Sequence, residues 1–357
     1  MTIDNTTHQD HRIAFTGKGG EYFRIWIVNL ALTLLTLGIY SAWAKVRRLQ
    51  YFYRNTALAG GSFDYHGDPL AILKGRLIGV LMLLVYNVST GLSTTLAVAV
   101  LIVLAAVFPW LLQRSLCFKL NNSSYRGLRF RFDGGTGDAY RVFLLWPLLG
   151  YLSLGLLTPL AHRRIKAYQH NNSRYGATPF AFDVGAGAFY NVYIKMALML
   201  AAMLVLPAIL VVGLGGIPLL AMFNDAPMPR QQQFQMIGIL VMLILAFYLL
   251  AFLVIGPWFA ARMQNLVWNG TSLGQHGFSS EVTARGLLVI YLTNFLGILL
   301  TLGLFKPYAD IRLAKYRLEH MTLLAVGDLD GFVADQRQRV DATGEETAEV
   351  FDLDISF

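Results

Sequence analysis

With 357 residues, 55% of them hydrophobic and only 14% charged, and a mean hydropathy of +0.51, the chain is far too apolar for a soluble protein, whose charged fraction lies near ~25%. A two-domain soluble enzyme is excluded, and the single cysteine, Cys117, excludes an internal disulfide. The net charge of +8 is unevenly spread: residues 328–357 carry nine acids against Arg337 and Arg339, a balance of −7, while residues 1–327 stand at +15. Cations that flank apolar segments point to anionic membrane lipids or acidic partners, not to nucleic acid.

In chain order, the first twenty residues lack the apolar stretch of a cleavable signal peptide, so the first hydrophobic segment is expected to target the membrane. Ile13 and Phe15, before Gly17, read as a short strand. Apolar runs follow at 25–44, 77–112, 142–161, 194–221, 234–261 and 286–305, each long enough to cross a hydrocarbon core of about 30 Å.

Between these runs one unit recurs. Trp43, Arg47, Tyr51, Asn55, Gly60, Phe63 and Tyr65 have gapless counterparts in Trp110, Arg114, Phe118, Asn122, Gly127, Phe130 and Phe132. A third copy runs Arg164, Tyr168, Asn172, Phe180 and Phe182, a fourth begins Trp258 and Arg262, and a fifth Tyr308 and Arg312. A spacing of four follows one face of a helix, so each apolar helix is expected to continue past the membrane. Asn55, Asn122 and Asn172 are then helix C-caps, expected in the left-handed conformation, and the alternating residues beyond them read as short strands or hairpins. The five arginines, Arg47, Arg114, Arg164, Arg262 and Arg312, are candidates for headgroup or anion binding. A snorkelling anchor and pairing with the acidic tail are the competing readings.

The apolar runs are themselves related. Asn29 and Thr36-Leu37-Gly38 recur as Asn294 and Thr301-Leu302-Gly303, while Phe15, Gly20, Arg24 and Gly38 match Phe132, Gly137, Arg141 and Gly155 at one offset. Seven full passes would put 10 Lys and Arg on one side and 19 on the other, against the positive-inside rule. If instead 25–44, 142–161 and 286–305 are broken segments that re-enter, every Lys and Arg but Arg230 faces the cytoplasm, a ratio of 28 to 1. Length argues the other way, since about 20 residues make one comfortable pass and, folded in the middle, two arms of only about 15 Å. We expect re-entry. The predicted architecture is a polytopic α-helical membrane protein in which transmembrane pairs at 77–112 and 194–261 alternate with re-entrant segments over a cap of short cytoplasmic strands. A repeat-built domain spans 1–327 and an acidic tail 328–357. The loops at 45–76, 113–141, 162–193 and 262–285 face the cytoplasm, and those at 88–93 and 222–233 the periplasm. Phe351, Leu353, Ile355 and Phe357 alternate with polar residues, as would a strand docking on that cap.

Three stretches, Gly20-Glu21-Tyr22-Phe23, Leu34 to Arg48 with Trp43-Ala44-Lys45-Val46-Arg47 at its centre, and Leu73-Lys74-Gly75-Arg76, carry a resemblance to the YjgN-like inner-membrane family of bacteria (domain of unknown function 898) that extends over almost the whole chain. The resemblance implies a bacterial inner-membrane location and no assigned reaction, and a membrane-associated zinc peptidase as a possible partner.

No catalytic set, metal site or cofactor motif assembles. His162 and His170, eight residues apart, have no neighbouring carboxylate or thiolate to make a metal site, Cys117 reads as a packing residue, and Gly185-Ala186-Gly187 as strand-to-helix punctuation rather than a phosphate loop. Asn29, Asn87 and Asn294 are intramembrane polar residues expected to bridge helices. Two functions stay open: a non-enzymatic scaffold or lipid- and partner-binding protein with a basic cytoplasmic face, and a channel or transporter. Coupled transport is disfavoured because the spans lack Asp and Glu.

Overall fold

The computed structural model describes residues 8–223 and 229–343. Five times the chain runs strand, helix, helix, strand. The first passage is β1 (His8–Arg12) and β2 (Ala14–Phe15), α1 (Gly19–Leu35), α2 (Ser41–Arg54) and β3 (Thr56–Leu58). The second is β4 (Gly61–Tyr65), α3 (Pro69–Leu92), α4 (Thr94–Asn121) and β5 (Ser123–Tyr125). The third is β6 (Leu128–Phe132), α5 (Thr136–Tyr140), a π-helical turn (Arg141–Leu145), α6 (Trp146–Leu152), α7 (Thr158–Asn171) and β7 (Ser173–Tyr175). The fourth is β8 (Thr178–Phe182), α8 (Ala186–Phe223), α9 (Arg230–Asn269) and β9 (Thr271–Leu273). The fifth is β10 (His276–Ser280), α10 (Ala284–Leu300), α11 (Lys306–Glu319) and β11 (Met321–Val326), after which α12 (Leu329–Thr343) follows.

The strands are not separate hairpins but one antiparallel sheet closed on itself. Each passage joins the next through a two-residue turn of the primed kind that suits the twist of paired strands. Ala59 and Gly60, and Arg126 and Gly127, have both central residues left-handed, while Gly176 and Gly274 take the first position of the other two turns. The ring is completed by the N-terminal segment. β1 pairs β11 from His8↔Val326 to Arg12↔Thr322, Ile13 N–H donates to the Met321 carbonyl (3.0 Å), and β2 then pairs β3 through Ala14↔Ala57 and Phe15↔Thr56. One extended strand therefore belongs to both ends of the sheet and leaves it without an open edge.

The bore of this barrel is packed. Phe63, Phe130, Phe180 and Phe278 stack side by side, with ring centroids 6.4, 6.4 and 6.1 Å apart. Leu58, Tyr125, Leu128, Tyr175, Leu273 and Leu323 fill the rest. Two tyrosine hydroxyls within it are satisfied by backbone, Tyr125 donating to the Leu58 carbonyl (2.7 Å) and Tyr175 to the Tyr125 carbonyl (3.1 Å). α12 lies against this core. Leu329 and Val333 are buried in it, Phe332 meets the His276 ring edge-on at 4.5 Å, and the buried Gln336 accepts from Ala177 N–H (3.1 Å). Asp330 pairs with Arg126. The first half of the acidic 328–357 stretch is thus a helix seated on the barrel, and residues 344–357, with the alternating Phe351 to Phe357, lie outside the described residues.

On the other side of the sheet stand the helices. Four are long and apolar enough to cross a membrane: Pro69–Leu92, Thr94–Asn121, Ala186–Val205 and Ile237–Asn269. Their large side chains face outward, as Leu81, Leu83, Leu84, Ile102 and Leu245 do at about sixty per cent exposure. The 77–112 run is divided between α3 and α4 at Ser93, whose extended backbone breaks the helix.

The three remaining apolar runs each turn back on themselves, near their ends rather than their middles. In 25–44 the turn falls at 36–40, so α1 holds most of the apolar residues, and its 17 residues make an arm of about 26 Å instead of 15 Å. The returning helix α2 is basic. α6 and α7, and α10 and α11, repeat this arrangement. All three turns are built alike: Leu37, Leu154 and Leu302 are left-handed (φ 51°, 52° and 50°), each followed by a glycine with φ above 90°. The glycine N–H donates five residues back, to Thr33, Gly150 and Ile298 (2.8–2.9 Å). The hydroxyls of Thr36, Ser153 and Thr301 each accept the N–H four residues on, at 2.9 Å. Every backbone N–H of such a turn is thereby taken up within it. The three leucines at its tip are 94–95% exposed.

Candidate functional site

Where the five descending helices α2, α4, α7, α9 and α11 meet the barrel, they enclose a cavity of about 700 Å3. Its lining follows from the helical angle. Residues two, five, six and nine places beyond the repeated arginine lie within about 60° of the direction opposite to it at 100° per residue. These are the positions that line the cavity: Gln264 and Leu116; Phe52, Lys119, Gln169 and Arg317; Tyr53, His170 and Trp268; Thr56, Ser123 and Ser173. Ile13, Phe63, Phe130 and Phe180 of the strands form the floor. The chamber therefore has an aromatic base and a mixed wall, in which Leu116, Leu120, Leu318 and Met321 stand among Lys119, Gln169, Gln264 and Arg317.

Its charge is not balanced. Lys119 and Arg317 are in the lining, and Lys166 stands close enough that their charges add to burial, the larger cause, in lowering its pKa. Lys45 is lowered likewise, first by burial and then by Arg76 and Lys119. Among the described residues no carboxylate lines the chamber. Arg317 Nε donates to the neutral Gln264 Oε1 (2.5 Å), and Lys166 Nζ to Gln169 Oε1 (3.3 Å). The acids pair elsewhere: Asp64 with Arg54, Asp310 with Arg48 and Lys306, Asp133 with Arg131 and Arg174.

The repeated arginines point away from this chamber, and four are engaged within the protein. Arg47 lies over the Tyr40 ring at 5.9 Å, Arg114 over Trp110 at 5.8 Å and Arg164 over Trp146 at 5.4 Å, while Arg312 Nη1 donates to Asn294 Oδ1 (2.9 Å). Arg262 lines a second cavity, outside the ring.

Asn55, Asn122 and Asn172 occupy the C-caps of their helices, but with φ of −89°, −93° and −98°, not left-handed as expected. The reason is local: each side-chain amide donates to the carbonyl four residues back (2.8 Å), so no left-handed turn is needed to satisfy it. Asn294 bridges α10 and α11, its amide donating to the Ala309 carbonyl (3.2 Å). Asn29 is buried with Oδ1 unpartnered. Asn87 corrects the expectation of a buried bridge: it is exposed and bonds the Leu83 carbonyl of its own helix (2.8 Å).

His162 and His170 are both pushed down to about 4, by burial first and Lys166 second. His162 Nδ1 meets the Tyr193 hydroxyl (3.0 Å) and His170 Nδ1 the Thr271 hydroxyl (3.1 Å). Among the described residues no three His, Cys, Asp or Glu side chains are grouped to hold a metal ion. Cys117 Sγ packs between Gln113 Nε2 (3.3 Å) and the Phe132 carbonyl (3.6 Å). Gly185 ends a strand connection and Gly187 lies in the first turn of α8.

Sequence reasoning missed Lys119, Lys166 and Arg317. Lys119 and Arg317 share the fifth place beyond the arginine, but Phe52, Gln169 and Val267 hold it in the other passages and Lys166 stands at the second, so no residue common to all five marks them; the signal available was the face opposite the arginine.

No solved structure matches the chain. The chain is 26% identical over 367 residues to the inner membrane protein YjgN of Salmonella typhimurium, covering 92% of this chain and 91% of that protein. It is 28% identical over 162 residues to the protein of that name from Escherichia coli O157:H7, covering 43% and 39%. Together with the four apolar helices, these relatives make it a multi-pass protein of the bacterial inner membrane. The family described as bacterial protein of unknown function, DUF898, matches residues 10–350, and the chain belongs to it.

Proposed function

We propose that the protein is a non-enzymatic binding protein of the inner membrane whose central chamber takes an anionic amphiphile, its acidic head against Lys119, Lys166 and Arg317 and its apolar part on the aromatic floor. The observation that carries this reading is three cations in and beside a chamber that has no carboxylate among its described lining residues, since neighbouring like charges repel until an anion joins them. In the same reading the chain is five copies of one unit. α3, α4, α8 and α9 span the bilayer, the three short helix pairs dip in and return, and the barrel lies in the cytoplasm. Turns whose N–H groups are all paired within them, tipped by exposed leucines, support re-entry, because unpaired backbone donors are costly in hydrocarbon.

The test is native mass spectrometry of protein purified with its membrane lipids. A bound anionic amphiphile is expected, lost from the K119Q/R317Q double variant. Wild type and variant that both retain nothing, or both retain the same species, would refute the chamber as its site. A conduit along the axis is the second reading, favoured by five helix pairs around one cavity. The filled bore and α12 oppose it, and steady ion or solute flux through reconstituted protein would establish it against the first.

A further inference from the structure

The second cavity, about 560 Å3, sits at the base of the α8 and α9 pair where these helices leave the sheet. Arg262 and Lys195 both line it, with Asn191 and Trp258. Arg262 is the one repeated arginine of the five for which no aromatic ring or side-chain acceptor among the described residues takes up the guanidinium. Lys195 is peculiar to this passage. It stands thirteen residues beyond the end of β8, and the same place in the other four holds Val28, Ile78, Leu145 and Thr293. Among the described residues no acid lines the cavity. Two of its asparagines are already committed: Asn265 holds the Val282 backbone and Asn269 Oδ1 accepts from Ser280 N–H (2.6 Å). Three kinds of polar group are left to meet a guest: the guanidinium, the ammonium, and the side-chain N–H groups of Asn191 and Asn269.

These three suit an oxyanion with several acceptor oxygens, above all a phosphate diester, which a guanidinium binds with two parallel N–H donors and a lysine as a point charge. What lies next to them decides the carrier. Ile194 and Leu198, on either side of Lys195 along α8, are 56% and 65% exposed, and both helices run on as membrane-spanning segments. We propose that this cavity binds the phosphate of an anionic phospholipid, with Arg262 and Lys195 on its oxygens, Trp258 beside the glycerol and the acyl chains along α8. It is a lateral site, separate from the central chamber and independent of the reading given to it.

The experiment is the thermal unfolding of detergent-purified full-length protein titrated with phosphatidylglycerol, phosphatidylethanolamine or inorganic phosphate. Native mass spectrometry counts the lipids retained. Phosphatidylglycerol is expected to raise the unfolding temperature and remain bound, with about a tenfold weaker apparent affinity in R262Q and in K195Q. R262K, which keeps the charge but loses the paired donors, should fall between, and it guards against a variant that merely misfolds. K119Q/R317Q should bind phosphatidylglycerol at this site as the wild type does. Unchanged phosphatidylglycerol binding in R262Q and K195Q would overturn the proposal. Equal binding of phosphatidylethanolamine would remove the anionic lipid, and binding of inorganic phosphate in place of lipid would remove the lipid altogether.

Discussion

Replacing His170 should flatten part of the pH dependence of stability, and the structure gives the size. Thr271 Oγ1 donates its proton to the Val267 carbonyl (2.7 Å), so the 3.1 Å contact with His170 is donated by the imidazole Nδ1–H. Nε2 is then the basic atom, on a ring that lines the chamber and feels Lys166. The unfolded chain binds a proton near pH 6.5 and the folded one only near 4. A depressed imidazole pKa means stability that is whole above about pH 6.5 and is lost as the pH falls toward 4. At pH 5 that loss is about 2 kcal/mol, and near 3 kcal/mol once both states are protonated. His162, also held at about 4, adds a similar slope. Chemical unfolding between pH 8 and pH 5 should therefore show a fall that shrinks by about 2 kcal/mol in H170Q and again in H162Q/H170Q. An anion bound in the chamber should raise the His170 pKa and flatten the wild-type curve. A pH dependence identical in wild type and both variants would refute the neutral, Nδ1-protonated assignment.

Three further outcomes are expected. Asn294→Leu should cost about 1–2 kcal/mol, because it strips Arg312 of its acceptor inside the protein, whereas Asn29→Leu, whose Oδ1 has no partner, should be neutral or stabilising; equal costs in unfolding assays would contradict this. Tryptophan placed singly at Leu37, Leu154 or Leu302 should be quenched by brominated acyl chains and shielded from iodide, and the reverse at any tip would place that turn in water. Phe332→Ala should lose about 2–3 kcal/mol of packing against His276 and Tyr175, read as faster protease cleavage within α12, and unchanged cleavage would show that the helix is not held there.

The internal correspondences, Phe15 with Phe132 or Asn29 with Asn294, lie in the sequence because each sits at the same place in its passage. Hydropathy located every apolar run but not where the short ones turn. Thr36-Leu37-Gly38 marks that point only once the glycine's hydrogen bond to Thr33 is seen, since leucine is a poor advertisement for a left-handed residue. Ile13 and Phe15 read as a strand, yet its partners could not be read, because Phe15 pairs with Thr56 while Ile13 and the residues before it meet Met321 to Val326, a contact across nearly the whole chain. The arginine drew the eye by repetition, whereas the chamber is assembled from Lys119, Gln169 and Arg317, at the fifth place beyond it, and from Lys166 at the second. A fifth place that is basic in only two of the five passages leaves no periodic trace.

The strand shared by the two ends of the sheet also sets the order in which the molecule can be completed. His8 and Val326 are neighbours in register although more than three hundred residues separate them. During synthesis, the first strand is made long before its partner, and until β11 arrives the growing sheet keeps a bare edge on each side of a gap. The last step of assembly is thus a seam closing, and a large fraction of the loop-closure cost falls on it. Because the seam joins the earliest strand to the latest, a chain cut short just before β11 would carry all five helix pairs and still lack a closed barrel, which gives cellular proteases an open edge by which to tell a truncated product from a finished one.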